Sequence, residues 1–406
     1  MNDIAITGMG IISPLGIGQE TFWKNCRNAA TGLKKISVFD TQAFPSNIAG
    51  LVEGFQPGQY MKPNVYRRLS RISRMAVAAG IEAIQDSGLI LDNMDRERIA
   101  VIMGTAYGAS SRVEDFYVSL LKDGPRGAQP FLFPETVPNA PASHIAIYHQ
   151  IIGPNTTFCQ NELSAENAVL YARNLILNNI VDVALVGGAE EISEMLFSCY
   201  SALGSLNNVQ APDDEAVVSV KERGLILGEG AGILVMEKES FALERGAKVY
   251  GLLRSGIVTG GMTRIGHYEV DGEQMRRAMI CAMEQAGLGP NEIDRIDISA
   301  NLSGELDRME YHQIKDVFTE RQEHIRVTPL KYLMGDFGGA GIIRAAAILL
   351  SLYHQAPLPA VSLDTLLDEG NDALEWNISP SQDIQTTLMT SSTFGGGSAS
   401  IIFTKA

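Results

Sequence analysis

Residues 153–191, GPNTTFCQNELSAENAVLYARNLILNNIVDVALVGGAEE, are where the chain is best suited to chemistry. Thr156–Cys159 reads as a strand, Gln160–Leu163 as a tight turn, and Ser164, with Asn167 three residues on, as the N-cap of a helix. A buried strand turning sharply into a helix N-terminus is where enzymes place a nucleophile, because backbone N–H groups and the helix dipole favour an anion there. Ala165, Ala168 and Ala172 give that helix a small-residue side able to approach a sheet closely. The four cysteines (Cys26, Cys159, Cys199, Cys281) have no paired spacing and no histidine at ligand distance. Neither a disulfide framework nor a metal site is expected, and no cofactor is called for. The histidines (His144, His149, His267, His312, His324, His354) are scattered, and His144 and His149 read as surface or core-edge residues of one helix.

The elements that must hold this turn alternate along the chain. β-branched runs at Ile4–Thr7, Ile99–Met103, Val181–Val186, Ile233–Met236, Val249–Leu253, Ile296–Ser299 and Ser400–Phe403 are separated by stretches of helical period. This predicts an α/β fold with largely parallel, buried sheets. Residues 76–105 and 275–304 share one plan: an amphipathic helix, a C-cap glycine (Gly88, Gly287) followed by leucine, a charged connector, and a β run into a glycine-containing loop. Such units also recur by chance, but the match points to duplication, with halves 1–247 and 248–406.

The formal charge of −15 argues against nucleic acid and against an anionic membrane surface, both of which need clustered Lys and Arg. No run of 18 uninterrupted apolar residues is present. MNDIAITGMG enters a strand-like run without a basic n-region or cleavage site, so a cytoplasmic location is expected.

The 153–191 segment resembles the active-site region of β-ketoacyl-acyl-carrier-protein synthases, members of the thiolase superfamily. So do ITGMGIISPLG at 6–16, GEGAGILVMEKESFALERGAKVYG at 228–251 and TFGGGSASIIF at 393–403, and the likeness runs nearly end to end. The resemblance implies a duplicated, five-layer αβαβα thiolase-like fold. It also implies a cysteine at the turn, two histidines in the second half and a lysine before the second histidine. Here the cysteine position falls on Glu162 and the first histidine on Asn301. The second falls on Asp336 with one deletion, or on Gly335 without it. Only the lysine is kept, as Lys331 in the gapped alignment, and Phe394 matches the phenylalanine that gates the family's site. Cys159 lies three residues before Glu162 and is expected to be a buried structural thiol on the opposite strand face.

These replacements oppose the family reaction. Acyl transfer needs a soft, activated nucleophile, and a carboxylate attacks a thioester poorly. The imidazoles would stabilise the charge that develops as malonyl-thioester loses carbon dioxide. Asn301 can still donate, but an ionised Asp336 would repel both carboxylate and enolate, by about 4 kcal/mol at ~4 Å and an effective dielectric near ~20. Two carboxylates and one lysine leave the group a charge short, so one carboxyl is expected to be protonated or bonded to Asn301.

The preferred expectation is a non-catalytic subunit of the chain-length-factor type. It would pair as a heterodimer with an active ketosynthase, meet acyl carrier protein through that complex, and help shape the chain tunnel in type II polyketide, polyene or fatty-acid-like synthesis. The resemblance implies dimerisation through the strand at 155–160, with Thr105, Tyr107, Phe133 and Thr136 along the tunnel and Phe394 at its gate. Pro134, Pro138 and Pro141 would make 131–143 an irregular loop. The alternatives are an enzyme of altered reaction using Glu162, such as a malonyl-carrier-protein decarboxylase or a Glu162/Asp336 hydrolase, and a self-sufficient condensing enzyme.

Overall fold

A computed structural model describes residues 3–211, 223–264, 266–319, 326–367, 375–377 and 383–406; His324 lies outside them. The chain is a mixed α/β thiolase-like body. Strand Ile4–Ser13, buried throughout, pairs antiparallel with Gly230–Lys238, which pairs antiparallel with Val183–Glu190. Ile99–Gly104 and Asn155–Phe158 follow in parallel, and Asn155–Phe158 is the edge. In the second half, Gly251–Thr259 pairs with Ser398–Thr404, then Thr386–Ser392, Arg295–Asp297 and Arg326–Thr328. Taken in chain order within each half, both sets run first, fifth, fourth, second, third, so one topology occurs twice. Ile4–Ile6 against Gly251–Leu253 joins the two.

Five layers result. Helix Arg71–Ser87 covers the outer face of the first sheet, burying Ile72, Met75, Ala76 and Ala79 against Ile99, Val101, Ile233 and Val235. Helices Ser164–Leu177 and Ala340–His354 fill the space between the sheets. Glu273–Ala286 and Gly304–Val317 cover the outer face of the second. The paired glycines do equivalent work, as Gly88 (φ 67) and Gly287 (φ 70) end the two outer helices in the left-handed region.

Several expectations need correction. The sheets are not largely parallel, since antiparallel pairings outnumber parallel ones. Strands covered on both faces read as apolar runs whichever way their neighbours point, so hydropathy hides direction. Ser164 is the first helical residue rather than the N-cap, which is Leu163. Its hydroxyl donates to the Asn161 and Thr105 carbonyls and accepts from the Gln160 N–H, tying the turn to the strand end. Pro141 sits in the first turn of helix Ala140–His149, where its missing N–H is harmless, so the irregular segment stops at Asn139. Cys159 is exposed, because the strand ends at Phe158 and alternation stops there.

The middle layer also contains charge. Arg344 is fully buried on the helix between the sheets. Its Nε donates to Asp297 Oδ1 at 2.7 Å, Nη1 to Ser391 Oγ at 2.9 Å and Nη2 to the Thr390 carbonyl at 2.7 Å. Removing one partner of such a pair leaves the other charge uncompensated in a dry interior. Arg344→Met is therefore expected to cost about 3–5 kcal/mol of unfolding free energy. Urea titration checks this, and a loss under about 1 kcal/mol contradicts the assignment.

Candidate functional site at the strand-to-helix bend

Both halves of the duplication supply the site. Glu162 lies in the single 3-10 turn Asn161–Leu163 between strand Asn155–Phe158 and helix Ser164–Leu177. Asn161 takes φ 48, which tightens the bend and turns Glu162 inward, where it is 5% exposed. Asn301 follows strand Arg295–Asp297, Lys331 opens the short helix Lys331–Met334, and Asp336 stands just beyond Gly335 (φ 77). Phe394 comes from the loop between Thr386–Ser392 and Ser398–Thr404.

The structure brings Glu162, Asn301, Lys331 and Asp336 together. Lys331 Nζ lies 2.8 Å from Asp336 Oδ1 and 3.2 Å from Ser299 Oγ. The lysine–aspartate contact is an ion pair without hydrogen-bond alignment. Asn301 Nδ2 donates to Asp336 Oδ2 at 2.7 Å and to the Tyr268 hydroxyl at 2.9 Å. Its Oδ1 accepts from the Ser303 N–H at 3.0 Å. Glu162 Oε2 accepts from Thr393 Oγ1, and the same narrow pocket is lined by Glu162, Asp336, Tyr107 and Tyr200.

Charge at this bend is unevenly shared. Burial, then the Asp336 carboxylate, push Glu162 up to about 7, against smaller opposing effects of Thr393 and Lys331. Burial pushes Glu190, which lines the same pocket, up to about 8 although it accepts from Thr105 Oγ1 and the Ala106 and Tyr107 N–H groups. Burial, with Glu162 and Asp336 adding, raises the Tyr268 phenol well above its usual range. Cys159 is no substitute nucleophile, since desolvation and then Glu190 raise its thiol rather than activate it.

The other anticipated residues divide. Thr105 is buried against Glu190, and Tyr107 donates or accepts at 3.0 Å with Tyr200. Phe394 packs on Tyr268, ring centroids 4.6 Å apart, and 6.3 Å from Tyr200. Phe133 and Thr136 are not drawn into this pocket; Phe133 is exposed and packs near Phe116. Sequence reasoning missed Tyr268, Tyr200 and Thr393. For Thr393 a signal existed in its place beside Phe394 after a Ser-Ser pair, whereas Tyr268 stands in an aperiodic stretch that gave none. No group of three or more His, Cys, Asp or Glu able to hold a metal occurs among the described residues.

Residues 1–242 match the β-ketoacyl synthase N-terminal domain and residues 250–364 the β-ketoacyl synthase C-terminal domain. The chain belongs to the β-ketoacyl synthase family. It is 30% identical over 408 residues to 3-oxoacyl-[acyl-carrier-protein] synthase 2 of Vibrio cholerae serotype O1, covering 98% of each. Among solved structures it is similar to a chain of the ishigamide ketosynthase/chain length factor, with TM-score 0.89, 26% identity, and coverage of 100% of this chain and 99% of that one. The fold also matches a chain of the ketosynthase (ApeO) in complex with its chain length factor (ApeC) from Xenorhabdus doucetiae, with TM-score 0.82, 22% identity and coverage of 100% and 98%.

The raised carboxyl has a consequence for stability. Between its ordinary value of 4.5 and about 7, the folded protein keeps the Glu162 proton that the unfolded chain releases. The native state then binds more protons, so this residue makes stability fall as pH rises through that window and level off above it. Relative to Glu162→Gln, the native chain should lose roughly 3 kcal/mol between pH ~4.5 and ~8. Urea unfolding of both proteins across this range measures it, and parallel pH profiles would refute it.

Proposed function

We propose that this chain is a non-catalytic ketosynthase-like subunit, of the chain-length-factor type, that pairs with an active β-ketoacyl-acyl-carrier-protein synthase in the cytoplasm. Its contribution is to shape the tunnel for a growing chain in type II polyketide, polyene or fatty-acid-like synthesis, with aryl polyenes the first class to test. The observation that carries this reading is the occupied bend. A protonatable carboxyl bonded to Thr393 stands where condensation needs a thiolate, and the Asn301 amide is spent on Asp336 and Tyr268. Glu162, Asn301, Lys331 and Asp336 are on this reading a degenerate catalytic set, and Thr105, Tyr107, Phe133, Thr136 and Phe394 serve the tunnel and its gate.

A partner surface supports the same reading. Strand Asn155–Phe158 is a sheet edge, and its Thr157 hydroxyl is buried without a hydrogen-bond partner. Tyr117 and Leu121 on helix Ser110–Asp123, and Phe131 and Phe133 after it, are exposed apolar side chains that a partner could cover. With a charge of −15, the chain favours a more basic catalytic partner, which would also suit an acidic carrier protein.

Co-expression with candidate ketosynthases, size-exclusion chromatography and an assay of malonyl-dependent elongation test the proposal. The expected result is a stable heterodimer that elongates, no elongation by this chain alone, and turnover of the heterodimer changed less than about threefold by Glu162→Ala. Elongation by the isolated chain, abolished by Glu162→Ala, would overturn it.

A further inference from the structure

Two separate cavities lie at the bend. The outer cleft holds about 340 Å³ and is lined by His267, Ser303, Glu305, Arg308 and Phe394. The inner pocket, lined by Glu162, Asp336, Tyr107, Tyr200 and Leu227, holds about 20 Å³. A space of that size takes about one water molecule and no acyl chain. Among the described residues that line either cavity, Leu225 alone borders both.

Leu225 belongs to the strand-like run 224–228, which is bonded along both of its edges. On one edge the Leu225 N–H donates to the Ser205 carbonyl at 2.8 Å, and the Asn207 N–H donates to the Leu225 carbonyl at 3.1 Å. On the other edge the Asp336 N–H donates to the Ile226 carbonyl at 2.8 Å, and the Gly228 N–H to the Asp336 carbonyl at 3.0 Å. The run is fixed at its start as well, where the Gly224 N–H donates to the Leu302 carbonyl at 2.8 Å. Side chains alternate along such a run. Leu225 and Leu227 therefore face one way, into a cluster with Tyr200 and Leu206 against which Phe394 packs. Ile226 faces the other way, into the core with Ile298 and Leu302. Leu225 is 2% exposed. With its backbone held on both edges, Leu225 cannot be withdrawn by sliding the run, and the shared wall of the two cavities is this side chain.

We propose that the Leu225 side chain is the partition that keeps a thioester arm in the outer cleft from reaching Glu162. The partition is steric. Replacing Glu162 alone leaves the bend closed, whereas shortening Leu225 joins cleft and pocket into one channel. This holds for the chain alone and does not require the partner-subunit reading.

The test gives the bend a thiol and measures whether an arm can reach it. Glu162→Cys is made in a Cys159→Ser background, so that the peptide spanning the turn carries one sulfur. The probe is a pantetheine analogue that carries a bromoacetamide in place of its thiol. The thiolate attacks the CH2 carbon as bromide leaves, the thiol proton having passed to buffer, and peptide mass spectrometry follows the label. Glu162→Cys alone is expected to label slowly, and adding Leu225→Ala should raise the rate about tenfold or more. Adding Leu225→Met, which keeps the bulk, should change it less than about twofold. Leu206→Ala and Leu227→Ala remove the same bulk beside the outer cleft alone and the inner pocket alone. Each should change the rate less than about twofold. Cys26, fully buried, stays unlabelled in any folded variant. If Leu225→Ala exposes it, Leu225→Val takes its place, with an expected rise of about threefold or more. No acceleration in a folded Leu225→Ala or Leu225→Val variant overturns the inference, as does equal acceleration by Leu206→Ala or Leu227→Ala.

Discussion

Lys331 is the cation that faces two buried carboxylates at the bend, Glu162 and Asp336, and it is committed to Asp336 at 2.8 Å. Asn301 reinforces that choice by donating to the other Asp336 oxygen. Glu162 is left with a hydroxyl from Thr393 and no cation of its own among the described contacts. Burial without a full countercharge favours the neutral form, which is why Glu162 keeps a proton toward neutral pH. The protonation of the bend follows from this one unequal division.

The duplicated topology makes such a meeting possible. The two halves repeat one strand order and lean on a shared helical middle layer, so loops from the ends of corresponding strands converge between them. The first half supplies Glu162 and the second supplies Asn301, Lys331, Asp336 and Thr393. Convergence also imposes strain. Leu302, immediately after Asn301, has φ 72 in the left-handed region, where a residue with a Cβ pays of order 1–2 kcal/mol. Its side chain is buried with Leu306 and Met309, and its carbonyl accepts from the Gly224 N–H. Burial of that leucine, of roughly 2 kcal/mol, offsets the backbone cost and keeps Asn301 aimed at Asp336.

Much of this was legible in the residues. Helix–glycine–strand repetition disclosed the duplication because left-handed C-caps favour glycine, which stands at both copies. Glu162, Asn301, Lys331 and Asp336 were singled out by the family resemblance, with Gly335 as the ungapped alternative to Asp336, and the structure groups the four at one bend. Other features were not readable, for physical reasons. Strand Thr386–Ser392 escaped notice because its buried Thr390 and Ser391 satisfy Arg344 by hydrogen bonding rather than by being apolar. Sheet direction was lost because double burial erases alternation. Tyr268 could not be found at all, since its position depends on contacts to Asn301, Glu305 and Phe394 that are remote in sequence and leave no period behind.

Electrostatic catalysis needs donors aimed at a position that is empty until charge develops there. At this bend the donors already have partners. Both amide hydrogens of Asn301 are directed at Asp336 and Tyr268, the Lys331 ammonium faces Asp336 and Ser299, and the Thr393 hydroxyl faces Glu162. A developing enolate would have to displace Asp336 or Tyr268 to gain Asn301, Asp336 or Ser299 to gain Lys331, and Glu162 to gain Thr393. The contacts that commit these donors also link segments remote in sequence, Glu162 to Thr393 and Asn301 and Lys331 to Asp336, and each such link stiffens the pocket. Commitment of the donors and stiffness of the scaffold are here two consequences of one set of polar contacts.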